Sequence, residues 1–336
     1  MYSNSNKSYT FDQIKNALLD NTAPFPAAMI YYFSDIPAED LAQLKDVWPR
    51  VMIERRRGLL EDMESLSEGD TLLDFDSVAT MCLEDEDPVA RAAAIRVLWQ
   101  SDREDLVPRL LKLLQEDPEE TVRSAAATAL GTFVELGELD EIKAETYQQV
   151  VECLIKTHLD AKDSLVCRRA LESLGFSSHP DVQGFIRRAF ETDDEEWLQS
   201  ALFAMGRSYD QNWTESVLQM FDHPDNMVRY EAIRAAGELE AKPARELIFD
   251  ILEEGTDDDD LYYAAIWALS KIGGEGVREV IEAALEDTED MDETLFLEEA
   301  LENLNFTEQV GELDLMNFDD DDDFDDWLEE DDEDEY

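Results

Sequence analysis

Apolar and polar positions along the chain fall into a two-part module that recurs. Its first part is a short apolar stretch, seen in LVPRLLKLL, VVECLIKTHL, VQGFIRRAF, ESVLQMF, ARELIFDIL and VREVIEAAL. Apolar residues there fall at i, i+3, i+4 and i+7, the period of an amphipathic helix. A polar break follows: EDPEET, DAKDS, ETDDEE, DHPDN, EEGTDDDD or EDTEDMDE. The second part is a helix rich in alanine, as in DPEETVRSAAATALG from Asp117 to Gly131.

The alanine helices set the period, and a fixed period is the mark of a repeat architecture. Ala126 aligns with Ala94, Ala170, Ala201, Ala232, Ala265 and Ala300, in steps of 32, 44, 31, 31, 33 and 35 residues. The long step holds an insertion, ELGELDEIKAETYQQ. Asp or Ser ahead of the second helix is placed to cap its free N–H groups, and acid there suits the helix dipole. Pro88, Pro118 and Pro224 sit where a missing N–H costs nothing. Small alanines let paired helices approach closely. Gly131, Gly175, Gly206 and Gly237 recur after the alanines, and the expectation is that they end the helix in a left-handed cap.

One such hairpin cannot bury its apolar face alone, so the modules must stack and share a core. The pattern Asp-Pro-x-x-x-Val-Arg-x-x-Ala-x-x-Ala-Leu-Gly resembles the HEAT-repeat signature, in the short form associated with phycobilisome lyases. The resemblance spans residues 70 to 306. It implies an all-α, right-handed α-solenoid of about seven HEAT-like hairpins. Cys167, Leu198 and Tyr262 stand where other copies have Arg123 and Arg229, which argues against an unbroken Asp–Arg ladder.

The ends differ from the middle. Residues 1–69 lack the repeat and read as an N-terminal helical cap over the open end of the stack. Arg55-Arg56-Arg57 is the one basic triple; it fits an acidic or phosphate ligand, and pairing with neighbouring acids or with the acidic tail fits it better. Residues 70–310 form the repeat array and 311–336 a tail. From Asp319 on, 14 of 18 residues are acidic, a density that predicts disorder. Phe324, Trp327, Leu328 and Tyr336 are spaced through the acid and are candidate anchors on a basic surface.

Charge changes the picture of partners. The chain has 84 acidic and 27 basic residues, a net charge of -57. Without the tail, 70 acids still face 27 bases. Such a surface opposes nucleic-acid phosphates and anionic membranes and attracts basic proteins at a salt-sensitive rate. Solubility and high-salt adaptation are the bland readings of the same charge. Three cysteines, Cys82, Cys153 and Cys167, form no CxxC and no disulfide framework. No signal-peptide core and no run of about 18 apolar residues occurs, so the expected location is the cytoplasm.

Chemistry finds few candidates. The histidines His158, His179 and His223 are not followed by Glu, so the His-Glu pairs of deoxyhypusine hydroxylase are missing. His223 reads as a turn cap. Dinucleotide and P-loop glycine motifs, a GxSxG elbow and an EF-hand are absent. Gly273-Gly274-Glu275-Gly276 reads as a turn. Arg168 and Arg169 beside Cys167 would favour its thiolate, but its repeat position favours a structural cysteine. No catalytic residue, metal or cofactor is expected.

The resemblance places the second helices on the concave face. Matching positions along them are Arg96, Thr128, Glu172, Phe203, Arg234, Trp267 and Glu302, with Trp99 and Arg207 near the same ridge. Arg, Phe and Trp are types enriched at interfaces. Arg96, Trp99, Phe203, Arg207, Arg234 and Trp267 are therefore the candidate partner-binding residues, although Phe203 and Trp267 also suit inter-repeat core. The expected function is a non-enzymatic scaffold for a protein partner with a basic surface, without direct nucleic-acid or membrane contact. The alternatives are a bilin lyase or isomerase subunit, and a nucleic-acid-mimicking, chaperone-like binder of basic proteins.

Overall fold

The computed structural model describes residues 9–255 and 258–319. These are all helix, turn and loop, with no strand among the described residues. The chain divides into two compact units, 1–188 and 189–336.

The first unit holds α1 (Phe11–Leu19), α2 (Ala38–Val47), α3 (Ile53–Gly69), α4 (Asp76–Cys82), α5 (Pro88–Val97), α6 (Val107–Glu116), α7 (Glu120–Glu138), α8 (Ala144–Asp160) and α9 (Ser164–Leu174). Helices α3, α5, α7 and α9 pack in succession as one row, while α4, α6 and α8 each pack against the helix that follows. The chain passes between the units within α10 (Val182–Phe190). The second unit repeats the plan. There α11 (Glu195–Arg207), α13 (Asn226–Glu238), α15 (Asp259–Ile272) and α17 (Met291–Asp319) form the row. Helices α12 (Thr214–Leu218), α14 (Ala244–Glu254) and α16 (Val277–Asp287) complete the hairpins.

All seven anchor alanines, from Ala94 to Ala300, are 0% exposed. Their methyl groups are wholly buried within the packed helices. Seven residues before each anchor stands an acid, and six of these are helix N-caps: Asp87, Glu119, Asp163, Asp194, Asp225 and Asp258. Asp87 accepts from the Ala90 N–H at 3.0 Å and Asp225 from the Val228 N–H at 3.0 Å, each satisfying a donor the helix cannot use.

The glycine expectation is corrected. Gly206 and Gly237 lie inside their helices, and Gly131 lies mid-way along α7. Gly175 has a right-handed backbone, φ -51°. At two of them the job is close approach: a Cβ on Gly237 would stand 2.8 Å from the Cα of Ala268, and one on Gly206 3.1 Å from the Cα of Ala235. The left-handed residues come three positions later and are not glycines: Tyr209 (φ 51°) and Glu240 (φ 48°). Around Glu240, the N–H of Ala241 returns to the carbonyl of Ala236 at 2.9 Å and closes the helix end. The turn at Gly273, Gly274 and Gly276 does use positive φ at all three, as its composition predicts.

The insertion is folded. It lengthens α7 to 19 residues and α8 to 17. Tyr147 lies directly over Gly137, where no side chain would fit, and its hydroxyl is bonded to Glu138 and Ser177.

The inter-helix turns of the first unit are stapled by arginine. Arg91 reaches Asp117 of the next turn through two bonds, 2.9 and 3.0 Å, while its other nitrogen holds the Asp85 carbonyl at 2.7 Å. Arg123 repeats this with Asp163 at 2.6 Å and the Asp117 carbonyl at 2.6 Å. Arg56 of α3 donates to both oxygens of Asp85, at 2.8 and 3.0 Å, and Arg57 grips Asp87. Arg55 instead caps carbonyls of Ala17, Leu18 and Ala23. The basic triple is thus spent inside the protein, two of its members on neighbouring acids. Helix α3 stands to α5 as α5 stands to α7, so part of segment 1–69 joins the row. The staple stops at Cys167; in the second unit Arg229 turns to its own loop, bonding the His223 carbonyl and Asn226, and Asn226 passes the link to Asp258.

Two predictions follow from these contacts. Gly237→Ala should lower unfolding stability by about 1–3 kcal/mol, because backbone must move. Gly58→Ala, on a helix with open space around the new methyl, should raise it by about 0.5–1 kcal/mol; urea denaturation checks both. Asp85→Ala strips a buried arginine and the Trp48 indole, which donates to Asp85 at 2.6 Å. It should cost about 3–5 kcal/mol, whereas Asp163→Ala, at a more exposed pair, should cost no more than about 1 kcal/mol.

Candidate functional site

Because the alanine seam is filled, the next turn of each row helix points away from it. The seven positions two residues past the anchors show the result. Glu172 is buried and paired with Arg169. The other six reach the surface, half or fully exposed.

In the first unit, Arg96 donates to Glu64 at 2.6 Å, and Trp99 is 47% exposed with its carbonyl accepting from Thr132. In the second unit three candidates meet. The Cζ of Arg207 lies 4.3 Å from the Phe203 ring centroid, and that of Arg234 lies 4.7 Å from it. Arg234 is also paired with Glu231 at 3.3 Å. Trp267 sits at the same register on α15, its ring 6.1 Å from Phe296 of α17. Phe203 and Trp267 are both half-exposed, so neither is a purely core residue: Phe203 lies under the two guanidinium groups and Trp267 beside Phe296.

Sequence reasoning missed Tyr263 and Phe296. Their rings stand 4.9 Å apart, edge to face, with Tyr262 5.4 Å beyond Tyr263. Tyr230 and Tyr263 occupy the same position two residues before their anchors, and that recurrence was the available signal. The Tyr262 phenol is pushed up to about 12, first by burial and then by its bond to Glu293. Burial first, and then the charges of Glu293, Asp259, Asp290 and Asp292, raise the Tyr263 phenol as well. Phe324, Trp327, Leu328 and Tyr336 lie outside the described residues.

The candidate chemical groups have structural duties. His179 and His223 each accept, at Nδ1, the N–H two residues on, at 3.3 and 3.2 Å, and so fix turns. The Cys167 thiol points at the Ala161 carbonyl, 3.3 Å away. Burial raises its pKa, so the neighbouring arginines do not make it a thiolate. Among the described residues no group of three or more His, Cys, Asp and Glu side chains is placed to hold a metal ion. No described helix is long and apolar enough to cross a membrane.

Rows of antiparallel hairpins packed through their second helices define a helical-repeat protein. The family model for HEAT repeats matches residues 76–144 and 214–302, one segment in each unit, so HEAT repeats are detected in both units. The match is to HEAT repeats at large and does not single out the phycobilisome-lyase form. Among curated proteins none matches. Among solved structures, Escherichia coli YibA is similar at 18% identity and TM-score 0.42, over 84% of this chain and 97% of its own. Human deoxyhypusine hydroxylase in complex with glycerol is similar at 14% identity and TM-score 0.34, over 78% and 95%. An engineered protein is similar at 20% identity and TM-score 0.33, over 70% and 98%.

The histidine with a pH consequence is His158. Its Nδ1 donates to the Cys167 carbonyl at 3.2 Å and its ring packs 4.9 Å from Phe185. Burial, then the charge of Arg188, holds its pKa below the ordinary value, and the bond to Cys167 works against them. The unfolded chain therefore binds the extra proton first, and the His158 contribution is lost as pH falls below about 6.5 toward the folded value. The stability advantage of wild type over His158→Gln should shrink between neutral and mildly acidic pH, as measured by denaturant unfolding at each pH.

Proposed function

We propose that this chain is a non-enzymatic scaffold that binds a protein partner along the row of second helices, and that the surface it meets is basic. HEAT repeats are commonly protein-interaction scaffolds. The observation that carries the reading is the half-exposed set of Phe203, Arg207, Arg234 and Trp267, set beside a seam of fully buried alanines. Arg96 and Trp99 extend the same role to the first unit. These residue types supply most interface hot spots. The net charge of -57 supplies the attraction to a basic surface.

In this reading the residues before α3 cap the array, α3 and residues 70–310 carry it, and the tail 311–336 adds a second contact through Phe324, Trp327, Leu328 and Tyr336. A linked second contact raises the effective concentration of the partner. Three buried free thiols suit a reducing cytoplasm. Binding of basic nucleic-acid-binding proteins in place of their nucleic acid is the second reading, favoured by the acid density alone; competition with that nucleic acid separates the two. The bilin-lyase alternative has no observation in its favour.

Capture from lysate of the source organism at low and high salt tests the proposal, using full-length protein, a version ending at Leu315, and the Phe203→Ala/Trp267→Ala variant. The expected outcome is a basic protein captured at low salt, weakened by truncation. The double variant should lose roughly thirtyfold or more in affinity, the size of a hot-spot truncation. Capture that ignores both salt and the two ring substitutions overturns it.

A further inference from the structure

The rings of the second unit are not treated alike. Phe203 already carries two guanidinium groups of its own chain, Arg207 and Arg234. Tyr263, Trp267 and Phe296 form a connected shelf, with centroid distances of 4.9 and 6.1 Å. Among the described residues no lysine or arginine stacks on that shelf. Lys271, one turn beyond Trp267, is held by Glu238 at 2.6 Å. Yet negative charge converges there: Asp259, Asp290, Asp292 and Glu293 all act on the Tyr263 phenol.

A ring face attracts a cation within about 6 Å of its centroid, more strongly where water is excluded. An apolar occupant would strip water from those carboxylates and give nothing back. An acidic one would be repelled. We propose that the shelf of Tyr263, Trp267 and Phe296 receives a lysine or arginine side chain of the protein partner, its charge shared between the ring faces and the surrounding carboxylates. This rests on the basic-partner reading and adds to it a place and a chemistry. The chain itself shows the arrangement earlier in the same row, where Arg234 of α13 covers Phe203 of α11.

The test uses full-length protein and a fluorescein-labelled oligo-arginine peptide, with the neutral oligo-citrulline peptide as control, followed by anisotropy at low and high salt. Wild type should bind oligo-arginine and not oligo-citrulline. Trp267→Leu should weaken binding roughly 2- to 30-fold, and the loss should persist at high salt, where diffuse attraction is screened. Should Trp267→Leu lose its helical circular dichroism signal, Tyr263→Leu at a half-exposed ring carries the same expectation. If folded ring variants bind oligo-arginine as wild type does at both salts, the shelf proposal falls and the basic-partner reading stands. If oligo-arginine binds no better than oligo-citrulline to any version, both fall.

Discussion

The spacing between successive second helices is the constraint from which the rest follows. At Gly237 the helices come so near that even a methyl group would press on the backbone of Ala268. The anchor alanines are fully buried for the same reason. Small residues predominate along this seam in the second unit, and Ser270 there is buried and bonded to Asn303. Larger side chains are displaced to its two flanks. On one flank they fill the hairpin interior, as Leu130, Ile233 and Leu269 do. On the other they emerge on the row's outer face as Phe203, Arg234 and Trp267. The candidate interface is thus a by-product of how tightly the repeats pack, since small residues bury little area each and the repeats are stable only together.

Charge obeys a second rule that depends on the first. With few bases to spend, the first unit uses its arginines as staples between turns, at Arg56, Arg57, Arg91 and Arg123. Arg91 and Arg123 each sit between a backbone carbonyl of one turn and a carboxylate of the next, while Arg56 and Arg57 reach from α3 to the carboxylates of a single turn, Asp85 to Asp87. Asp85, Asp87 and Asp117 are buried and Asp163 is half-buried, so salt screens these pairs little. Most other acids cap helix starts or face water. In three of these pairs, Arg56–Asp85, Arg57–Asp87 and Arg91–Asp117, the carboxylate is buried more deeply than its arginine, so the buried acid depends on its partner.

The period, the anchors and the acidic caps were legible in the sequence because each depends on one residue type at one spacing. The glycines were misread because a recurring Gly signals either a left-handed turn or a close approach, and only the neighbouring helix decides which. Helix α3 was missed as a row member for a related reason. By its staple to Asp85, Arg56 matches Arg91, and Leu59 then stands where the other copies have alanine; no small-residue pattern marks it. The register read from the sequence picks out one position per helix. Tyr263 and Phe296 lie on other turns and enter only through packing between α15 and α17.

Diffuse charge and local rings contribute differently to recognition. A net charge of -57 speeds encounter with any basic protein, and so cannot choose among them. Choice requires places where desolvated surface and charge coincide, because that is where a wrong partner leaves a group unpaired. The second unit offers two such places of opposite character on one row. At Phe203 the chain presents guanidinium over a ring; beside Tyr263 it presents carboxylate around rings. On this view the acidity sets how fast partners arrive, and the short row from α11 to α17 sets which of them stays.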